Sequence, residues 1–167
     1  MRPSPLLLER YFFSEVALTA SKEFKPEELV RITDEYIKVE HRTKGTDAES
    51  RLWECTLRVQ FQAPPEANAP YAFVVECVGL FKIANAWPSE KDEWLAKTNA
   101  PAVLFGMARE FIRSLMCAGP FSAILLPTVN FTDAADKVVP TEKPSEVAEP
   151  VRSGQLRGPT GRLREFM

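Results

Sequence analysis

The stretch Leu52–Gln62, LWECTLRVQFQ, alternates apolar and polar side chains along its whole length. Its apolar positions are Trp53, Cys55, Leu57, Val59 and Phe61. Because successive side chains of a β-strand point to opposite faces of the sheet, this alternation predicts a strand with one buried and one exposed face. The sheet that contains this strand therefore decides the fold class.

Three neighbouring segments also predict strands, namely Arg10–Ala20, Arg31–Arg42 and Tyr71–Ile83. The last of these is apolar on both faces, which favours a central position or cover from both sides. Turn residues in Lys44–Asp47 and prolines in Pro64–Pro70 separate the second, third and fourth strands by too few residues for a crossover helix. We therefore predict a four-stranded antiparallel meander.

One long helix is predicted to follow the sheet, with a shorter helical piece at Pro88–Leu95 before it. Thr98 or Asn99 can cap the long helix, Pro101 suits its first turn, and Gly119 with the following proline ends it. Its apolar side chains cover about half of the helix circumference, more than the roughly 100° stripe of a helix that lies on one surface. Both sides of this apolar arc therefore need cover.

The four strands cover only one side of the arc. A second helix in the same chain is one candidate for the other side, but Asn130–Lys137 allows two turns at most before Pro140. We therefore expect a second copy of the chain to provide the cover.

Residues 137–167 have many prolines and glycines and few apolar side chains, which predicts a disordered tail. The part from 151 to 167 has four arginines and one glutamate. It serves either to contact an acidic partner or simply to keep the chain soluble.

The composition is that of an ordinary soluble globular domain, with 167 residues, 45% hydrophobic and 26% charged. A net charge of −2 argues against nucleic-acid binding. No apolar run approaches the roughly 18 residues that span a bilayer, so we predict no membrane insertion. The three consecutive leucines at Leu6–Leu8 are too few for a signal peptide, and we expect a cytoplasmic protein.

The sequence contains no recognisable catalytic or metal-binding motif. Cys55, Cys77 and Cys117 are odd in number, far apart and set in apolar runs, so we expect buried side chains rather than disulfides or a zinc site. His41 is the single histidine and lies in a strand-like segment. With no glycine-rich phosphate loop and no nucleophile elbow, we predict that the protein is not an enzyme and needs no cofactor or metal.

The stretch Ala100–Phe131, APAVLFGMAREFIRSLMCAGPFSAILLPTVNF, resembles the C-terminal half of the SecB family of bacterial protein-export chaperones. The positions that match, in order and at the family spacing, are Pro101, Leu104, Phe105, Arg109, Glu110, Gly119, Phe121, Pro127, Val129, Asn130 and Phe131. Phe73–Glu76 and Gly79–Phe81 resemble the fourth strand of the family. With the four-strands-then-helix order, the resemblance covers roughly residues 8–131.

This resemblance implies a SecB-like α+β fold, in which a four-stranded antiparallel sheet is followed by one long C-terminal helix, with residues 1–136 as the chaperone domain. It also implies a homotetramer, a dimer of dimers with the helices between the sheets. Aromatic grooves in such a tetramer hold unfolded polypeptides as clients, without ATP and without catalysis.

The resemblance also implies which residues carry these roles. The candidates for peptide binding or subunit contact are Phe12, Phe13, Trp53, Phe73, Val75, Phe105, Phe111 and Phe131, and each is equally compatible with a place in the core. Glu15 and Glu76 align with acidic sheet positions that face the SecA motor in the family, which makes them candidate SecA contacts.

The chain also departs from the family pattern. Gly106 and Met107 stand where the family usually has Pro-Tyr, and the aromatic-rich final helix is reduced to Thr132–Asp136. Export-dedicated members are clearly acidic, whereas this chain has a net charge of only −2. Two alternatives therefore stay open: a SecB-like chaperone for another client, such as the antitoxin of a toxin–antitoxin module, and an oligomeric scaffold or ligand-binding protein.

Overall fold

The computed structural model describes residues 3–47 and 49–132. The strands are β1 (Leu6–Ala20), β2 (Ile37–Asp47), β3 (Leu52–Phe61) and β4 (Tyr71–Ile83), and the helix is α1 (Asp92–Cys117). Single 3-10 turns lie at Asp34–Tyr36, Pro65–Ala67 and Ser89–Lys91. The predicted α+β class, an antiparallel four-stranded sheet followed by one helix, is confirmed. The predicted disordered tail, 137–167, lies outside the described residues.

The strand order in the sheet is β1-β4-β3-β2. The strands β2, β3 and β4 follow one another as predicted, but the predicted meander is wrong for β1, which pairs with β4 and not with β2. The connection 21–36 is long enough to carry the chain across the end of the sheet, which gives a Greek-key order. β4 therefore lies between two strands, in agreement with its apolar side chains on both faces.

The helix begins earlier than predicted. It starts at Asp92, so the short helical piece predicted at Pro88–Leu95 comprises the 3-10 turn Ser89–Lys91 and the first turn of α1, and Pro101 lies inside the helix. Arg51 stabilises the N-terminus of α1, because its guanidinium forms an ion pair with Asp92 and donates hydrogen bonds to the carbonyls of Ala84 and Trp87. A proline inside a helix removes one backbone hydrogen bond, and Pro101 is buried against the rest of the core.

The core lies between one face of the sheet and α1. The buried side chains of the two central strands are Cys55, Leu57, Val59, Phe61, Phe73, Val75, Cys77 and Phe81. They pack with Leu104, Ala108, Ile112 and Met116 of the helix. Burial raises the pKa of the Cys55 thiol to about 11 and that of Cys77 to about 12. Cys117 differs from the prediction, because its side chain is exposed at the end of α1.

The chain covers most of the apolar arc of α1 by itself. The sheet covers one side, and the segment after the helix reaches back over the other, where Phe131 packs on Phe105 with 6.0 Å between ring centroids. Among the residues that the structure describes, Val103 is the one large apolar side chain of α1 that is exposed, at 42%. Met107, Phe111 and Leu115 stay half-buried, so cover of α1 by a second copy of the chain stays a prediction.

Exposed apolar side chains gather instead on β1, at an edge of the sheet. Leu7, Tyr11, Phe12 and Val16 are each 45–47% exposed. No helix of the described chain has the length and apolarity needed to cross a membrane.

Two glycines provide a matched test of this packing. A Cβ atom at Gly79 would lie 2.8 Å from side-chain atoms of Leu104 and Phe81, whereas one at Gly106 would meet nothing within 4 Å. We expect Gly79→Ala to lower the free energy of unfolding by about 1–3 kcal/mol through overpacking. Gly106→Ala, inside the helix, should raise it by roughly 0.5–1 kcal/mol. Urea unfolding of both variants measures these changes, and equal effects would contradict the described contact between β4 and α1.

Candidate functional site

A cavity of about 710 Å³ lies between the β1–β2 connection and the segment that follows α1. We call this cavity the groove. Its lining residues are Phe24, Pro26, Val30, Ile32, Asp34, Ile37, Pro70 and 120–127. The walls are apolar except for the carboxylate of Asp34 and the hydroxyl of Ser122. A cavity of this size and composition binds apolar groups with few directional contacts.

Tyr71 holds the wall that follows the helix. Its buried hydroxyl accepts a hydrogen bond from the N–H of Phe121 at 2.9 Å and lies 2.7 Å from the carbonyl of the same residue. The carbonyl of Met116 lies 3.2 Å from it. A Cβ atom at Gly119 would be 2.7 Å from this hydroxyl, so the close approach requires glycine. The turn after α1 is thereby tied to the start of β4.

Asn68 holds the opposite wall. Its side-chain oxygen accepts from the N–H of Lys25 at 2.9 Å. Its side-chain nitrogen donates to the carbonyls of Lys25 at 2.9 Å and Glu28 at 3.2 Å. Asn68 itself has a φ of 49°, a left-handed conformation that asparagine tolerates better than most residues. The β1–β2 connection is thereby fixed to the turn between β3 and β4.

The two walls meet where Phe24 packs edge-on against Phe121, with 4.7 Å between ring centroids. This contact joins a residue after β1 to a residue after α1. The two walls therefore touch at these rings, and the groove is open to solvent at Leu125, which is 72% exposed although it lines the cavity.

The wall that follows the helix is anchored at its far end by Phe131. The Phe131 ring is 6% exposed and packs edge-on against the imidazole of His41, 5.4 Å between centroids. Burial lowers the pKa of His41 below 6.5. Its Nδ1 atom has no hydrogen-bond partner among the described residues. A neutral imidazole therefore suits this apolar contact.

None of the eight predicted peptide or subunit contacts lines the groove. Phe73, Val75 and Phe105 are at most 5% exposed and lie in the core between the sheet and α1. Phe13 and Phe111 stack on each other, 4.0 Å between centroids.

The other three predicted contacts also lie outside the groove lining. Trp53 is half-buried on β3 beside Gly45, and Phe131 is the anchor already described. Phe12 is 47% exposed on the sheet face opposite α1, here called the outer face. The structure thus does not bring the eight residues together.

The groove residues that sequence reasoning missed are Phe24, Val30, Ile32, Phe121 and Leu125. Two signals pointed to them: apolar residues set among charges in the connection 21–36, and the apolar run Phe121–Pro127 between two prolines. Neither signal says that these segments are neighbours. Their contact depends on the position of β1 beside β4.

Glu15 and Glu76 are brought together on the outer face, as cross-strand partners of β1 and β4. Arg58 of β3 forms ion pairs with both carboxylates, at 3.4 Å to Glu76. Ser14 also donates to Glu76 at 2.7 Å. One arginine between two carboxylates halves the negative charge of this position, so the outer face is less acidic here than the two glutamates alone imply.

The described residues contain no group of three or more His, Cys, Asp or Glu side chains placed to hold a metal ion.

The fold places the chain in a known structural class. The SecB-like chaperone of Mycobacterium tuberculosis, solved in complex with a ChAD peptide from an antitoxin, has a similar fold. The TM-score is 0.55 at 11% sequence identity, over 75% of this chain and 91% of that one. At this identity the likeness establishes the SecB-like fold alone.

Sequence similarity gives the family. The family model described as "Preprotein translocase subunit SecB" matches residues 13–136. The chain is 32% identical over 96 residues to the protein-export protein SecB of Azoarcus sp. (strain BH72), covering 57% of this chain and 63% of that protein. It is 28% identical over 127 residues to the protein-export protein SecB of Acidithiobacillus ferrooxidans (strain ATCC 53993 / BNL-5-31), covering 75% and 83%. This chain belongs to the SecB family.

The contact between His41 and Phe131 predicts a pH dependence of stability. Because the folded chain lowers the pKa of His41 below its unfolded value of 6.5, the unfolded state binds the proton more readily. We expect the free energy of unfolding to fall as the pH drops from about 7.5 to about 5.5. His41 is the single histidine, so His41→Leu should remove this part of the dependence. Urea unfolding across the range measures it, and an unchanged slope in the variant would contradict the assignment.

Proposed function

We propose that this protein is an ATP-independent chaperone, a holdase that binds non-native polypeptides in the cytoplasm during protein export. The observation that carries the proposal is the open apolar groove, whose two walls are each fixed by side-chain hydrogen bonds, one from Tyr71 and one from Asn68. Membership of the SecB family, and the names of relatives as protein-export proteins, support the export role.

The chemistry of the groove suits many clients. Apolar walls accept different apolar side chains, because they require no matched polar partners. Asp34 is the one charged side chain of the lining, and it favours clients that carry a basic residue beside apolar ones. No bond is made or broken in such binding, so no nucleotide or catalytic group is needed.

A single groove binds weakly. A cavity of about 710 Å³ holds a few client side chains. Burial of two or three of them contributes roughly 1.5–3 kcal/mol each. Association costs roughly 4–15 kcal/mol, so little remains as affinity. Several grooves on one oligomer bind an extended client far more tightly than one does.

We therefore also propose the homotetramer, a dimer of dimers. Its support comes from β1, an edge strand of 15 residues with four exposed large apolar side chains. An exposed apolar edge strand pairs readily with another strand, and a second copy of β1 is the natural partner.

SecA contact at Glu15 and Glu76 stays a prediction. The ion pairs from Arg58 to both carboxylates weaken an acidic docking surface. This favours, as a second candidate, a SecB-like chaperone that serves another client, such as an antitoxin. The alternative is an oligomeric scaffold that binds no client, and the client-binding experiment below distinguishes it from a chaperone.

Leu125 and Leu29 form a matched pair for testing client binding. Both are leucines, 72% and 75% exposed, but only Leu125 lines the groove. We expect Leu125→Ser to weaken binding of reduced, carboxymethylated α-lactalbumin about tenfold, since the loss of one buried leucine contact is worth about 1.5 kcal/mol. Leu29→Ser should leave the affinity unchanged.

Fluorescence anisotropy without nucleotide measures both affinities. If the wild type binds the client and both substitutions weaken this binding equally, the groove has no specific role in it. No binding by the correctly assembled wild type would contradict the holdase and support the scaffold.

The edge strands test the oligomer. We expect sedimentation equilibrium of the wild type to give about four times the chain mass of 18.8 kDa. Val16→Lys on β1 should give smaller species, because a lysine on an edge strand opposes pairing. Glu40→Lys on β2, the other edge, is the control and should not change the mass. A wild-type monomer at micromolar concentration would contradict the tetramer.

A further inference from the structure

We propose that residues 156–167 of this chain, LRGPTGRLREFM, bind in its own groove and compete with clients. Competition with clients rests on the proposed function, whereas binding of the segment in the groove does not. Three observations carry it: the charge of the groove wall, the composition of this segment, and its distance along the chain from the groove.

The β1–β2 connection, which supplies one apolar wall of the groove, has a net negative charge. Residues 21–36 contain five acidic and three basic side chains. The Lys25 ammonium lies 2.7 Å from the carboxylate of Glu28, so this pair is neutral and the connection keeps a net charge of −2. Asp34 is exposed and lines the groove itself. The groove therefore selects a segment that combines apolar side chains with a positive charge.

Residues 156–167 have this combination. They contain three arginines and one glutamate, interleaved with four large apolar side chains: Leu156, Leu163, Phe166 and Met167. By contrast, residues 137–150 carry three glutamates against two lysines, and valine is their largest apolar side chain. The charge of the distal segment is thus opposite to that of the wall, and its apolar residues match the lining.

The groove is within reach of this segment. The wall after α1 lines the groove up to Pro127, and the described chain continues only to Thr132. About 24 residues separate Thr132 from Leu156, and a random coil of that length has a root-mean-square span of roughly 25–30 Å. This exceeds the radius of gyration of roughly 14 Å expected for a domain of this size. The local concentration of the segment at the groove is then on the order of millimolar.

Such a tethered competitor raises the apparent dissociation constant of a client. Suppose that the segment binds the groove with a dissociation constant on the order of 0.1 mM and is present at a local concentration on the order of 1 mM. The apparent dissociation constant of the client is then raised about tenfold. Clients with few apolar residues are then excluded, and long clients that engage several grooves displace the segments. The segment therefore sets a threshold for client binding.

The test compares full-length chains. The tail variant carries Leu163→Ser and Phe166→Ser, and the matched control carries Val138→Ser and Val139→Ser. A charge-swap pair consists of Asp34→Arg alone and Asp34→Arg combined with Arg162→Glu and Arg164→Glu. Methyl NMR reports the groove through Val30, Ile32 and Leu125, and anisotropy reports the affinity for reduced, carboxymethylated α-lactalbumin.

We expect the tail variant to shift the methyl signals of the groove and to bind the client about tenfold more tightly. The control should match the wild type. Asp34→Arg alone should shift the same methyl signals, and the two added glutamates should return them toward the wild-type positions.

Groove methyl signals that are the same in the tail variant and the wild type would overturn the occupancy, whether or not the client binds. Equal shifts in the tail variant and the control would also overturn it. Methyl shifts confined to the tail variant, with no client binding by any chain, would support the occupancy and overturn the proposed function instead.

Discussion

The hydroxyl of Tyr71 is the contact on which the groove depends. It is buried between β4 and the end of α1, where it bonds both the N–H and the carbonyl of Phe121. Without it, the part-buried N–H and carbonyl of Phe121 lose this partner, and each group left unsatisfied costs at most roughly 1–3 kcal/mol. The hydroxyl sets the direction in which the chain leaves the helix. Phe121 is thereby placed against Phe24, and the two walls of the groove meet.

The position of β1 explains why a groove exists at all. Because β1 pairs with β4, the connection 21–36 must cross the end of the sheet to reach β2. The apolar side chains of this connection and those of 120–127 then face each other with no further element between them. The resulting cavity is apolar and open, which suits weak binding of many sequences. The same topology leaves β1 at an edge, where its exposed side chains favour assembly.

Much of the fold was predictable from local patterns. The alternation in Leu52–Gln62 predicts β3 almost to the residue, and the two-sided apolar pattern of Tyr71–Ile83 predicts an interior strand. The SecB resemblance over Ala100–Phe131 is confirmed by the family match. Which edge β1 occupies was not predictable, because strand pairing is a non-local choice that period-two patterns do not encode. The groove was missed for the same reason, since its walls are distant in sequence, and the aromatic residues carried over from the resemblance lie in the core or elsewhere on the surface.

Site-specific photo-crosslinking identifies the surface of the protein that a bound client contacts. Benzoylphenylalanine is placed at Leu125 or Val30 in the groove, and at Arg42 on the outer face, in the presence of reduced, carboxymethylated α-lactalbumin. We expect client adducts from the two groove positions and none from the outer face. Adducts from Arg42 alone, or equal adducts from all three positions, would contradict a client-binding groove between the β1–β2 connection and the segment after α1.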